Sequence, residues 1–222
     1  MLESHVHGPL AGHLRIDRPD TRRKATVVPM SLLDRNDSLL IVIDAQPGFS
    51  GPTATTALRA TQARSVAAWL AGVAAATGVP VIVTEEDPEA NGPTDRLIME
   101  RLPAGTRVFP KRVFGLAGEP AIMAAVKASG RRTAILVGAE TDVCVAQSAI
   151  GLLDRGFRVV VVADATFSPD AMHEFGLAHV RDAGAEVRHA KGVYYDWVRT
   201  VAGARAFEAA HPDLASPPGF AL

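Results

Sequence analysis

The chain has 222 residues, a formal net charge of −1 and a single cysteine. That length supports one domain with a core large enough to fold without disulfides or metal; the balanced charge offers no basic field for nucleic acid or an anionic membrane; one cysteine cannot close an internal disulfide, which suits a reducing compartment. No stretch reaches the ~18 continuous apolar residues of a membrane span and no signal-peptide core is visible, so a soluble cytoplasmic protein that binds neither nucleic acid nor membrane is expected.

In chain order, residues 1–37 read as an N-terminal arm, polar and without a period. Its histidines His5, His7 and His13 read as part of a tail rather than as metal ligands. Ser38–Asp44 ("SLLIVID") is a short apolar run ending in an acid, the pattern of a strand buried on both faces. Ala57–Gly78 is alanine-rich and closed by glycine, which predicts a helix with a glycine stop. Val79–Thr84 is a second strand, and Glu85–Pro93 a loop dense in breakers. Thr94–Leu102 is a short helix, and Thr106–Lys111 a short strand interrupted by Pro110. Glu119–Ser129 is a helix with proline in its first turn. Strand Thr133–Ala139, helix Asp142–Gly156, strand Arg158–Asp164 and helix Pro169–Gly184 follow. A last strand, Ala185–Ala190, precedes a helix near Tyr195–Phe207. The alternation predicts an α/β fold: a doubly wound, mostly parallel, six-stranded sheet with helices on both faces. The domain is expected over residues 38–208, with a tail at 209–222.

In such sheets ligands bind outside the carboxyl ends of the strands. Three reactive residues stand there: Asp44 after the first strand, Lys111 after the strand broken by Pro110, and Cys144 at the start of the helix after Thr133–Ala139. A lone cysteine is most often a small buried hydrophobe. At a helix start capped by Thr141 or Asp142, however, unpaired N–H groups favour a thiolate and an oxyanion. Asp44 beside it can act as general base. Lys111 keeps that acid ionised and favours the thiolate.

Three segments, "DAQPGF" (Asp44–Phe49), "KRVFGLAG" (Lys111–Gly118) and "GAETDVCV" (Gly138–Val145), resemble the isochorismatase-like cysteine hydrolases over roughly residues 38–200. The resemblance implies a catalytic triad of Asp44 as base, Lys111 as electrostatic partner and Cys144 as nucleophile. It implies hydrolysis of a small amide, carbamoyl or ureido compound through a thioester. It also implies a cis peptide at Ala139–Glu140, an oxyanion hole from the N–H groups of Glu140 and Cys144, and a homo-oligomer. Gln46, Phe49 and Phe114 are candidate substrate contacts; Tyr194 and Trp197 are further candidate pocket walls. Nicotinamidases of the family carry an Asp-x-His pair after the second strand, where this chain has "TEEDPEANGPT" (Thr84–Thr94). The loop is therefore read as solvated, with no metal and no cofactor expected. Glu140 departs from amidases with a small residue there, and is read as structural. Competing readings are vinyl ether hydrolysis with Asp44 as acid, and a non-catalytic oligomeric family member.

Overall fold

Six strands form one sheet: β1 (Ser38–Ile43), β2 (Val81–Glu86), β3 (Val108–Lys111), β4 (Thr133–Ala139), β5 (Arg158–Phe167) and β6 (Glu186–Arg188). The computed structural model that shows this describes Met1 and residues 31–222, so the arm histidines lie outside the described residues. The order is β3-β2-β1-β4-β5-β6, and every pair is parallel. β1 and β4 are central and wholly buried, which is why they read as unbroken apolar runs. β3 is an edge, the place where Pro110 costs least, since no inner ladder needs its N–H.

Alternate residues of the strands feed two cores. Leu40 and Val42 of β1 join Val137 and Val160 beneath the long helix α1 (Ala54–Thr77) on one face. α2 (Pro88–Asn91) buries nothing, whereas α3 (Arg96–Met99) adds Ile98 to that core. On the other face Leu39, Ile41 and Ile43 pack with α4 (Pro120–Ala128), α5 (Ala146–Leu153) and α6 (Met172–Asp182). α7 (Ala190–Val198) and α8 (Val201–Ala210) return to the α1 face. Tyr194 and Trp197 lie in that core: the Trp197 indole donates to Ser38 Oγ at 3.1 Å, at the start of β1, so neither residue is a pocket wall.

Several boundaries differ from expectation for local reasons. α1 begins three residues early because Thr53 and Thr56 cap each other reciprocally, a box built on two threonines rather than Thr and Glu. The last helix is two, broken where Arg199 turns to φ 67° and Thr200 caps α8 through the N–H of Gly203. Residues 209–222 do not form a separate tail. The Trp69 indole donates to the Leu214 carbonyl at 2.8 Å and Phe220 packs edge-on against the same ring. At the other end Leu33 is buried, its N–H bonded to Asp196, so the compact unit starts at Leu32 rather than at 38.

Candidate active site

The sheet order reverses direction between β1 and β4, and the chemistry-bearing residues converge at the carboxyl ends of those two strands and of β2 and β3. Asp44 follows β1 directly. Its φ of 46° turns the chain off the strand, and its N–H still reaches the Thr84 carbonyl of β2. Asp44 Oδ1 accepts from Thr84 Oγ1 at 2.8 Å, and Lys111 Nζ lies 2.6 Å from Oδ2. Both side chains are fully buried. An unpaired charge there would be strongly penalised, so each holds the other in place. Lys111 also donates to the carbonyls of Val113 (2.9 Å) and Phe114 (2.8 Å). Its three N–H groups thus serve the acid and the loop that follows β3, with none left over for a ligand.

Cys144 enters from β4. Gly138 is obligatory on that path: at φ 120° a β-carbon would fall 1.8 Å from the Ile43 carbonyl oxygen. The Ala139–Glu140 peptide is cis. The chain then makes a wide π-helical turn, Thr141–Val145, before α5. Neither Thr141 nor Asp142 caps it. Thr141 Oγ1 pairs with His173 Nδ1 of α6 at 2.9 Å, and Asp142 Oδ1 accepts from Ser168 Oγ at 2.6 Å. α6 can approach this closely because residue 176 is glycine, where a β-carbon would meet the Asp142 nitrogen at 2.6 Å.

The thiol does not rest as a favoured thiolate, contrary to the expectation from its helix-start position. Burial is the largest cause, the Asp44 carboxylate adds to it, and hydrogen bonds to carboxylates reinforce both; together they outweigh Lys111 and push Cys144 well above the usual thiol range. The hydrogen-bond acceptor was not visible in the sequence: Cys144 Sγ donates to Glu86 Oε2 at 3.2 Å. Sγ and the carboxylate oxygens of Asp44 and Glu86 lie within 4.8 Å of one another. Such a trio could in principle grip a cation, but both Asp44 oxygens are already engaged and Lys111 supplies positive charge at the same spot. The sequence places Glu86 in a loop dense in breakers, expected to be solvated. It is instead the last residue of β2, opposite Lys111 in the ladder.

Gln46 is what sets Glu86. The buried amide accepts from the Glu86 N–H at 2.8 Å and donates to the carbonyls of Glu86 (3.0 Å) and Gly92 (2.5 Å). Both of its N–H donors and one lone pair of its oxygen go to backbone, so Gln46 acts as a clamp on the end of β2. Phe49 is half-buried beside Gly138 and Phe167, next to the turn. Phe114 is 52% exposed, its carbonyl held by Lys111. Glu140 is half-buried, and burial followed by the negative charges of Asp142 and Glu86 raises its carboxyl above the usual range. A cleft of about 690 Å³ between α1, the end of β5 and α6 includes Ser168 and His173, but not Asp44, Lys111 or Cys144.

Known proteins share this fold and stretches of this sequence. The chain is similar to isochorismatase domain-containing protein 1 of Salmo salar, 38% identical over 118 residues, which is 52% of this chain and 41% of that relative's length. Among solved structures it resembles the MAR1 ribonuclease of Caenorhabditis elegans (26% identity, TM-score 0.73, 86% of this chain and 98% of that one). It also resembles YcaC from Pseudomonas aeruginosa, described with hexane-2,5-diol and covalent acrylamide (27% identity, TM-score 0.69, 83% and 94%). Residues 38–191 match the isochorismatase domain model, and the chain belongs to the isochorismatase domain family of hydrolases.

Proposed function

We propose that this hydrolase cleaves a small-molecule amide, carbamoyl or ureido C–N bond through a thioester on Cys144, with Asp44 as general base and Lys111 as its electrostatic partner. The observation that carries the reading is the sealed Asp44–Lys111 pair beside the chain's one thiol, at the reversal point of the sheet. A raised thiol does not attack by itself; it needs an acceptor for its proton as the carbonyl arrives, and carboxylates stand at that distance. As the C–S bond forms, the proton passes to Asp44. The carbonyl oxygen becomes an oxyanion, met by the N–H groups of Glu140 and Cys144. The C–N bond then breaks as Asp44 returns the proton to nitrogen. Water then attacks the thioester and gives a proton to Asp44; as the C–S bond breaks and the acid leaves, Asp44 returns that proton to sulfur, restoring the thiol and the base. The covalent acrylamide of the Pseudomonas aeruginosa relative supports a nucleophile in this fold, since acrylamide is captured through its alkene; in this chain Cys144 is the candidate for that group.

The ribonuclease named for the Caenorhabditis elegans structure is not carried over. The carboxylates of Glu86 and Asp44 stand beside the thiol, and the chain has no positive excess to hold a polyanion. The test is ammonia release from a panel of primary amides, carbamoyl and ureido compounds. Turnover of at least one, reduced about a thousandfold or more in Cys144→Ala, is expected. A Cys144→Ala protein that turns over near the wild-type rate would end this reading.

A further inference from the structure

We propose that Glu86 is a specificity-determining residue, whose carboxylate beside the thiol makes the site take neutral or cationic amides and reject those bearing a carboxylate. The proposal rests on Cys144 being the reacting group and narrows what that group meets. Every other acid between residues 85 and 95 is committed elsewhere. Glu85 accepts from the N–H and hydroxyl of Thr94 at 2.6 and 2.8 Å. Asp87 pairs with Arg112 at 2.8 Å and Glu89 lies 3.9 Å from the same guanidinium. Asp95 pairs with Arg64 at 3.0 Å. Among the described residues, Glu86 has no cation, and its carboxylate receives one hydrogen bond, from Cys144 Sγ. Nor is it placed by chance: Gln46 and Asn91 bind its backbone from three directions.

Lys111 cannot balance it. That ammonium is occupied by Asp44 and two carbonyls, and its charge is matched by Asp44. The charges of Glu86 and Asp142 both act on the neighbouring Glu140 carboxyl, and the group bonded to Asp142 from the neighbouring segment, Ser168, is neutral, so no cation offsets Glu86 from that side. A substrate whose remainder carries an anion would meet unscreened repulsion in a half-buried setting. One that offers N–H groups or an ammonium finds an acceptor at the reacting sulfur. The N–H-rich ureido and carbamoyl groups fit, and so do amides of amino compounds.

The experiment reads the field at the sulfur without requiring turnover. Cys144 is modified with two methanethiosulfonates, one bearing a trimethylammonium and one a sulfonate, and each rate is divided by its rate with 2-mercaptoethanol. The wild-type protein is expected to favour the cationic reagent about tenfold or more. Glu86→Gln, which keeps size and hydrogen bonding, should lower that preference severalfold. Glu89→Gln, the same charge change on an exposed side chain, should leave it unaltered. A wild-type preference no greater than that of 2-mercaptoethanol, or one that Glu86→Gln does not lower, overturns the proposal. Turnover of glycinamide against succinamate separates this from the parent reading. Hydrolysis with succinamate preferred would sink the specificity and leave the cysteine hydrolase standing. A cationic labelling preference with no amide hydrolysed would do the reverse.

Discussion

Asp44 and Lys111 make each other possible in the interior. Each side chain has no exposed area, and their separation is 2.6 Å. Removing one partner leaves the other as an uncompensated buried charge, which costs about 3–5 kcal/mol. Lys111→Met should therefore lower the urea midpoint by that equivalent, and adding Asp44→Asn should recover part of it; a double variant no more stable than Lys111→Met would contradict the pairing. The thiol carries a second expectation. Burial and the Asp44 charge both disfavour the thiolate, so less of it exists at neutral pH than in a free cysteine, and reactivity should keep rising at higher pH. Alkylation by iodoacetamide should show a midpoint above the ~8.5 of a free thiol, moved down by Asp44→Asn. A midpoint below ~8.5 would mean that Lys111 and the helix start dominate after all. The three strand-end residues were legible because each closes an apolar run or opens a helix. Glu86 was not: it stands in a row of acids broken by proline and glycine, and what separates it from Glu85 is that successive strand residues face opposite sides of the sheet, with Glu85 turned to Thr94 and Glu86 to Cys144. The state of the thiol was illegible for a related reason, since helix position is local whereas burial and a facing carboxylate are not.

At the scale of elements, glycines set the approach of backbone to backbone around the nucleophile. Gly138 lets the end of β4 pass the Ile43 carbonyl, the last residue before Asp44. Gly138→Ala cannot be absorbed by a side-chain shift, because the obstacle is backbone. Thermal unfolding should fall by several degrees, and hydrolysis should drop further than the loss of folded protein explains. Gly176→Ala should press α6 away from the π-helical turn, separating His173 from Thr141, with a similar excess loss of activity. If either variant kept wild-type stability and turnover, the close packing described here would be wrong. Most element types were readable from periodicity and glycine stops, including β4 residue for residue. The π-helical turn was not, because it is set by the contacts of Thr141 with α6 and of Asp142 with Ser168 rather than by capping. The division of the last helix was missed because Arg199 and Thr200 carry no glycine or proline to announce a break.

For the whole molecule, the sheet brings residues 44, 86, 111 and 144 to one edge although 100 positions separate the first from the last. The parallel order was readable from alternation; which strands are neighbours was not, and Glu86 meets Cys144 only because β2 and β4 both flank β1. No described helix is long and apolar enough to cross a membrane. Several large apolar side chains stay exposed, among them Phe114 near the site and Phe175 on α6, at 52% and 73%. The family resemblance implies a homo-oligomer, whose interface would be one way to cover such side chains. Light scattering after size exclusion should give a multiple of the 23.4 kDa chain mass, and a strict monomer at micromolar concentration would contradict it.

Covalent chemistry at Cys144 is read most plainly by quenching the protein in acid during turnover of an amide it hydrolyses and measuring the intact mass, followed by peptide mapping. An acyl adduct of the substrate is expected on Cys144 and absent from Cys144→Ala, which should release no ammonia. Turnover that persists in Cys144→Ala, with no adduct on the wild-type chain, would rule out a thioester on this residue.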